Sequence, residues 1–439
     1  MGISMLELTE ERSLTLSMIL GLAPDHATLR SAELLAESGA WSEWGAAPHD
    51  DGRLLWAAFH EGKRSATHTL VLLPTLYVRC NCGATRFPCR HCIALLLRDA
   101  TAAARASAPP SWVSAWLDEY ARSFRPPTVD TAADTRRQAT MAVAMVELGR
   151  WLGDLTGHGL ANLPQQGRAP WQAMASRLVD ARAHGAARQV RDLSTLWGSG
   201  TDWPERLLPR LGLLMLLAEG FGRLDELPAG QRGDLLAAAG WSPRTSDDQV
   251  ADDWLVLGRR HESDGKQRRQ RTWLRGLSSG RWALLEDTHR AQRIEGVCLP
   301  TGTIVRGELA YGASAWPLAA RPVSPLRMTG ATTGPAGGLS IDAAFDATSA
   351  ARAANPWLRH FPLLLEGVIA EPAPDRWRLR DRGGRLLPLP PRFGHGWPVL
   401  ALAGDRPLTL FGEWDGAVLM PLTVFHNGWH DMAAWKVYL

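Results

Sequence analysis

Lysine is nearly missing from this 439-residue chain: Lys63, Lys266 and Lys436 are its three. Arginine supplies the rest of 48 basic side chains, set against 45 acidic ones, for a formal net charge of +3. So even a balance makes no case by itself for a polyanionic partner. Long apolar runs are also missing. The stretch Leu211–Ala218, with Leu207 and Leu208 ahead of it, has the length of a core helix and falls short of the ~20 residues that cross a bilayer. Glu7, Glu10 and Glu11 stand where a secretory signal would carry basic and then apolar residues. No signal and no membrane contact are therefore expected, and the expected compartment is the cytoplasm. Cysteine is scarce as well. Five in the whole chain are too few for a disulfide scaffold, and four of them lie between Cys80 and Cys92. Clustering of that kind favours metal binding. The remaining one, Cys298, sits between Val297 and Leu299 and reads as a buried small hydrophobe.

What is present describes an ordinary folded protein: 45% of residues are apolar and 21% charged. The length suggests two or three domains. Twenty tryptophans are spread along the chain, which favours packing over one binding platform.

Apolar spacing reads residues 1 to about 50 as helical, with one helix from Asp25 to Glu37. Leu54–Trp56 and Thr67–Leu73 are strand candidates. The apolar run Ile93–Leu97 is of helical type. Residues 123–135, with Pro126 and Pro127, read as a linker. Met141, Met145, Leu148, Leu152 and Leu155 then recur at helical spacing, and further helices are expected around Trp171–Leu196, Pro204–Gly220 and Gln231–Gly240. This middle region reads as a bundle or a solenoid. Near Gly280 the character changes to strands, among them Thr303–Tyr311 and Leu363–Ala370. Hairpins are expected at Asp375–Leu389, turning at Gly383-Gly384, and around Asp415-Gly416. The glycine-rich Thr329–Gly338 reads as a mobile loop. The fold class expected is α+β and multidomain: residues 1–122 carry a small metal-binding finger (about 54–100), 136–278 form a helical domain, and 279–439 form a β-rich domain.

Cys80-Asn-Cys82 is followed, after six residues, by Cys89-Arg-His91. Three thiolates and one imidazole make a closed tetrahedral donor set for zinc in a structural role. Gly83 permits a tight turn after Cys82, and His91 at the head of the next helix can reach back to close the site. Cys92 leaves two readings open: it faces the core at the start of that helix, or it replaces His91 in a four-cysteine site. A site with three thiolates carries a charge near −1, which nearby cations would ease.

The pattern CxC, a gap, then CxH resembles the SWIM zinc finger. The surrounding residues Arg86-Phe87-Pro88-Cys89-Arg90-His91 and Ala94–Leu97 are similar to bacterial SWIM proteins, as are Trp151-Leu152, Trp171, Arg271–Leu274, Asn355–Trp357 and Gly412–Gly416. Trp56–Gly62 departs from the Trp-Gly and Gly-Ser-Gly segment that such proteins carry before the finger. The resemblance implies one structural zinc ion. It also implies a non-enzymatic adaptor working with a MoxR-type AAA ATPase and a von Willebrand A-domain (VWA) protein.

Between Gly62 and Arg98 lie Lys63, Arg64, Arg79, Arg86, Arg90 and Arg98, and no acidic residue. Such a surface attracts phosphates, so DNA binding is the alternative reading, with Lys63, Arg64, Arg79, Arg86 and Arg90 as contacts to nucleic acid or partner. Arg90 could instead serve the thiolates. The helix after His91 is too apolar to read bases. A second basic run, Lys266 to Arg271, reads as a solvated helix face. Phosphate-loop, GxSxG and HExxH motifs are missing, and four protein ligands leave a zinc ion no open position for substrate. No enzyme activity is expected.

Overall fold

The computed structural model describes residues 5–7, 14–50, 52–62, 65–125, 131–160, 163, 167–196, 200, 202–241, 248–263, 267–290, 294–335 and 337–432. Lys63, Arg64, Lys266 and the Pro126-Pro127 pair lie outside them.

Helices α1 (Leu16–Gly21) and α2 (His26–Ala36) open the chain. The Asp25 carboxylate accepts from the Thr28 N–H at 2.7 Å and so caps α2. Helical character ends there, short of residue 50. Strands β2 (Trp41–His49), β3 (Gly52–Phe59), β4 (Thr67–Leu73) and β5 (Tyr77–Cys80) form an antiparallel meander. Helix α3 (Arg90–Thr101) covers one face of it and α4 (Ser111–Ser123) the other. Alternation along β3 explains the sandwich: Leu55 and Ala57 join the core under α3, while Leu54 and Trp56 pack with Val113 and Tyr120 of α4.

The region read as a linker is partly helix. Thr131–Gly157 forms α5, and its Thr135 hydroxyl donates back to the Thr131 carbonyl at 2.8 Å. Helices α6 (Ala169–Asp180), α7 (His184–Leu193), α8 (Trp203–Phe221) and α9 (Ala229–Ala239) complete a bundle. Its core holds Met141, Met145, Leu148, Leu152 and Leu155, whose spacing pointed to a helix, together with Trp171, Leu178, Leu211, Leu214 and Leu236. The arrangement is a bundle and not a solenoid.

The bundle stops at Ala239, well before residue 278. Gln249–Ser263 (β6) and Gln267–Gly276 (β7) are strands. They pair with β8 (Trp282–Arg290), β10 (Thr303–Tyr311) and β11 (Ala319–Pro322), and the order β6-β7-β8-β11-β10, with β10 paired back to β6, closes a five-stranded ring. Strand β12 (Arg327–Thr332) extends it along β10, and β1 (Met5–Glu7) pairs with β12. The segment read as a mobile loop therefore begins as a strand. Arg268 to Arg271 is no helix face either: Arg268, Gln270 and Arg271 are buried side chains of β7. Strand β9 (Ile294–Val297) leaves the ring to pair with β5, placing Ile294 opposite Cys80.

Helix α10 (Ile341–Ala354) leads into a last sheet of β13 (Phe361–Pro372), β14 (Trp377–Arg380), β15 (Leu386–Pro388), β16 (Leu408–Trp414), β17 (Leu419–Phe425) and β18 (Trp429–Asp431). The short helix α11 (Gly396–Ala403) packs on β13. Both expected hairpins are present, with Arg380 opposite Leu386 and Trp414 opposite Leu419. Among the described residues, no helix is long and apolar enough to cross a membrane.

Candidate metal centre

Strand β5 ends at Cys80, and the chain turns through Asn81 to Cys82. The turn is pinned to β4: the His68 N–H donates to the Asn81 side-chain oxygen at 2.8 Å, and the Asn81 N–H donates to the His68 carbonyl at 3.3 Å. Gly83 has φ of 67°, the left-handed region that a residue without Cβ adopts freely. The chain returns at Cys89, which sits at the N-cap of α3 without using its side chain as a cap. Its sulfur is thereby available to the cluster. One residue into α3, His91 turns its ring the same way.

The ligand atoms of Cys80, Cys82, Cys89 and His91 all lie within 4.8 Å of one another. His91 Nδ1 is 3.9 Å from Cys80 Sγ and 4.0 Å from Cys89 Sγ. A tetrahedral zinc ion with Zn–S near 2.3 Å holds its donors roughly 3.5–3.8 Å apart, so this cluster could hold such an ion after small adjustments. Cys80, Cys89 and His91 are buried and Cys82 is half-buried. A cleft of about 490 Å³ between α2 and the finger loop reaches Cys82, Cys89 and His91 and gives an ion a way in. Cys92 is fully buried on the inner face of α3, with its sulfur 3.5 Å from that of Cys89.

Burial pushes the Cys80 and Cys92 thiols well above their usual range. At Cys82 a hydrogen bond with Cys80 pulls the thiol down, but Cys89 and burial outweigh it and the group is pushed up to about 11. Ligand thiols that resist ionisation by themselves, as Cys80 and Cys82 do, are turned into thiolates by a bound cation. The positive N-terminal end of α3 faces the same place.

Two neighbours of the cluster escape a linear reading. Thr69, wholly buried on β4, stands opposite Cys80 across the ladder, and its hydroxyl donates to the Cys80 sulfur at 3.3 Å. Such a donor orients a ligand and tempers its charge. Arg268 of β7 reaches the finger loop from the ring: its guanidinium lies 4.1 Å from the centre of the Phe87 ring and interacts with Cys89 and Cys92 through space. Strand pairing brings Thr69 to the cluster and packing of the ring on the finger loop brings Arg268, so spacing along the chain gives no signal for them.

Of the basic residues singled out as contacts, the three described ones have acidic neighbours. Arg79 pairs with Glu119 at 2.8 Å and stacks 4.6 Å over Trp116. Arg86 reaches Asp25 at 3.2 Å. Arg90 reaches Glu61 at 3.4 Å and not the thiolates. Every residue from His91 to Leu97 is buried, because α3 is enclosed between α1, α2 and the meander.

Residues 136–239 match the SWIM-associated four-helix bundle domain, from the second turn of α5 to the end of α9. The match supports a SWIM-family protein and leaves its type within that family open. No curated protein and no solved structure matches the chain.

Proposed function

We propose that this chain is a SWIM-type adaptor without enzymatic activity, in which Cys80, Cys82, Cys89 and His91 hold one structural zinc ion. The observation behind this reading is the donor set. Four protein ligands, three of them buried, would complete a tetrahedron around zinc and leave it no position for water or substrate. The metal's work is then mechanical: it ties the end of β5 to the head of α3, and through β9 to the ring. The match over the bundle lies beside this cluster in the same chain and fits the same family.

An adaptor needs partners, and the resemblance of the sequence points to a MoxR-type AAA ATPase and a VWA protein. Nucleic acid is the competing class. It is less favoured because α3 has no free face to enter a groove and Arg79, Arg86 and Arg90 have acidic partners. Copurification of the full chain with a MoxR-type ATPase and a VWA protein of the same source tests the proposal. A stable complex that disappears on chelation of the zinc is expected. Recovery of neither partner, together with salt-dependent binding of duplex DNA, would overturn it.

A further inference from the structure

Where the bundle meets the β-rich part, a cleft of about 480 Å³ opens between α7, α9, β7 and the segment joining α10 to β13. Three arginines from three of these elements line it: Arg188 of α7, Arg269 of β7 and Arg359 ahead of β13. The cleft is independent of the metal centre.

Arginines that line a cleft usually pair with carboxylates. Among the described residues, none of these three side chains makes an ion pair or a hydrogen bond, and Arg188 Nε is buried without a partner. Arg271, on the same wall, is already committed to Glu262 and Glu413. Asp234, also on the wall, is committed to Ser314, Ala315 and Asn355. Glu286, which also lines the cleft, and Asp192 act on Arg188 and Arg359 only through space. Burial lowers the pKa of Arg188 and of Arg359, and the neighbouring arginines lower both further. Three guanidinium groups that line one cleft without an ion-pair partner repel one another, and an anion between them relieves that repulsion.

We propose that this cleft binds a phosphorylated small molecule, with Arg188, Arg269 and Arg359 around its phosphoryl group. Each guanidinium offers a planar fork of N–H donors matched to oxyanions. A tetrahedral dianion takes such forks from three sides at once, whereas a carboxylate is filled by one or two. The volume suits a small ligand. Leu284, Trp316 and Trp357 add an apolar and aromatic wall for its organic part.

Calorimetric titration of the zinc-loaded full chain with inorganic pyrophosphate at low ionic strength tests this. One equivalent should bind. Arg188→Gln and Arg359→Gln should each weaken binding by about tenfold or more, the effect of losing a charge-assisted contact. Arg376→Gln, on a distant hairpin, should leave it unchanged. Because Arg359 lies outside helix and strand and keeps part of its side chain in solvent, its replacement tests the site even where Arg188→Gln fails to fold. Without ligand, Arg359→Gln should hold or raise the melting temperature, since one repelling charge is gone. Absence of binding at millimolar pyrophosphate, equal weakening by Arg376→Gln, or unchanged affinity in both cleft variants would overturn the proposal.

Discussion

Arg271 and Glu413 lie 142 positions apart and meet in a two-pronged ion pair, with Nε to Oε1 at 2.9 Å and Nη2 to Oε2 at 3.0 Å. Both are almost fully buried, at 3% and 2% exposure. The pair ties β7 of the ring to β16 of the last sheet. Around it, Trp273 donates its indole N–H to Glu413 at 2.9 Å, and Arg260 approaches the same carboxylate at 3.3 Å. Arg271 draws the carboxyl of Glu413 below the usual range against the effect of burial. Removing the acid leaves the buried guanidinium with only the exposed Glu262 carboxylate, at 3.1 Å, and without its buried partner, the costly half of a broken pair. Glu413→Ala should lower stability by about 3–5 kcal/mol in urea denaturation. Double replacement with apolar residues, Arg271→Met with Glu413→Leu, should recover much of that loss. Equal loss in both variants would show that packing at Glu413 matters and the charge does not.

Metal content separates the two readings of the fourth ligand. The purified chain should contain one zinc ion. His91→Ala should lose the ion or hold it far more weakly, whereas Cys92→Ala should retain it, and elemental analysis reads the difference. Retention by His91→Ala together with loss by Cys92→Ala would reverse the assignment. Thr69→Val keeps the shape and deletes the hydroxyl that donates to Cys80. It should reduce zinc affinity by roughly tenfold in competition with a chelator, the usual size of an outer-sphere effect.

Much of this architecture is legible along the chain because it is local. The hairpin at Trp377–Pro388 announces itself through Gly383-Gly384, and β10 coincides with the apolar run Thr303–Tyr311. The helices of the bundle follow from their apolar spacing, and the four clustered ligand candidates lie within twelve residues. What escaped depends on partners far away. Arg268 and Arg271 look like a solvated helix face until Glu295, whose carbonyl accepts from Arg268 at 2.9 Å, and Glu413 are brought to them. Gln270 is similar: its amide donates to the Val297 carbonyl at 2.9 Å inside the fold. Polar residues buried by such pairing break the alternation that marks a strand, so β7 was hidden. The neutralised arginines of the finger were hidden for the same reason: Glu119 and Glu295 lie outside the basic segment.

His360 gives stability a particular pH dependence. Burial, and then the charge of Arg271, lower its pKa from 6.5 to about 4, against the pull of Glu413. Between those two values the unfolded chain holds a proton on this ring and the folded chain does not. Stability therefore stays whole above pH 6.5 and falls as the pH drops toward 4. The loss attributable to this ring should be on the order of 2 kcal/mol at pH 4, allowing for its partial exposure. Denaturation of the wild type and of His360→Gln at pH 7 and pH 5 isolates it: the variant should lose less on acidification. Parallel losses would mean that other groups carry the acid sensitivity.

Two adjacent residues of α9 help dock the bundle onto the ring, beside Trp357, which packs on the bundle core and donates to the Leu213 carbonyl. Gly233 lies against the Ala313 backbone so closely that a β-carbon would run into the Ala313 carbonyl. Asp234, 4% exposed, accepts from the Ser314 hydroxyl at 2.5 Å, the Ala315 N–H at 2.9 Å and the Asn355 amide at 2.6 Å. Burial still holds its carboxyl above the usual range, so the three donors only partly offset desolvation. Asp234→Ala leaves those donors without their acceptor and should cost about 1–3 kcal/mol at this junction. Gly233→Val should force the two surfaces apart at a comparable cost. Neither change touches the core of the bundle or of the ring, so each part should keep its own packing while their coupling weakens. Urea unfolding should then split into two steps, a bundle signal from Trp171 in α6 and a ring signal from Trp254 in β6 no longer coinciding. One coincident transition with an unshifted midpoint in both variants would show that the two parts are joined elsewhere.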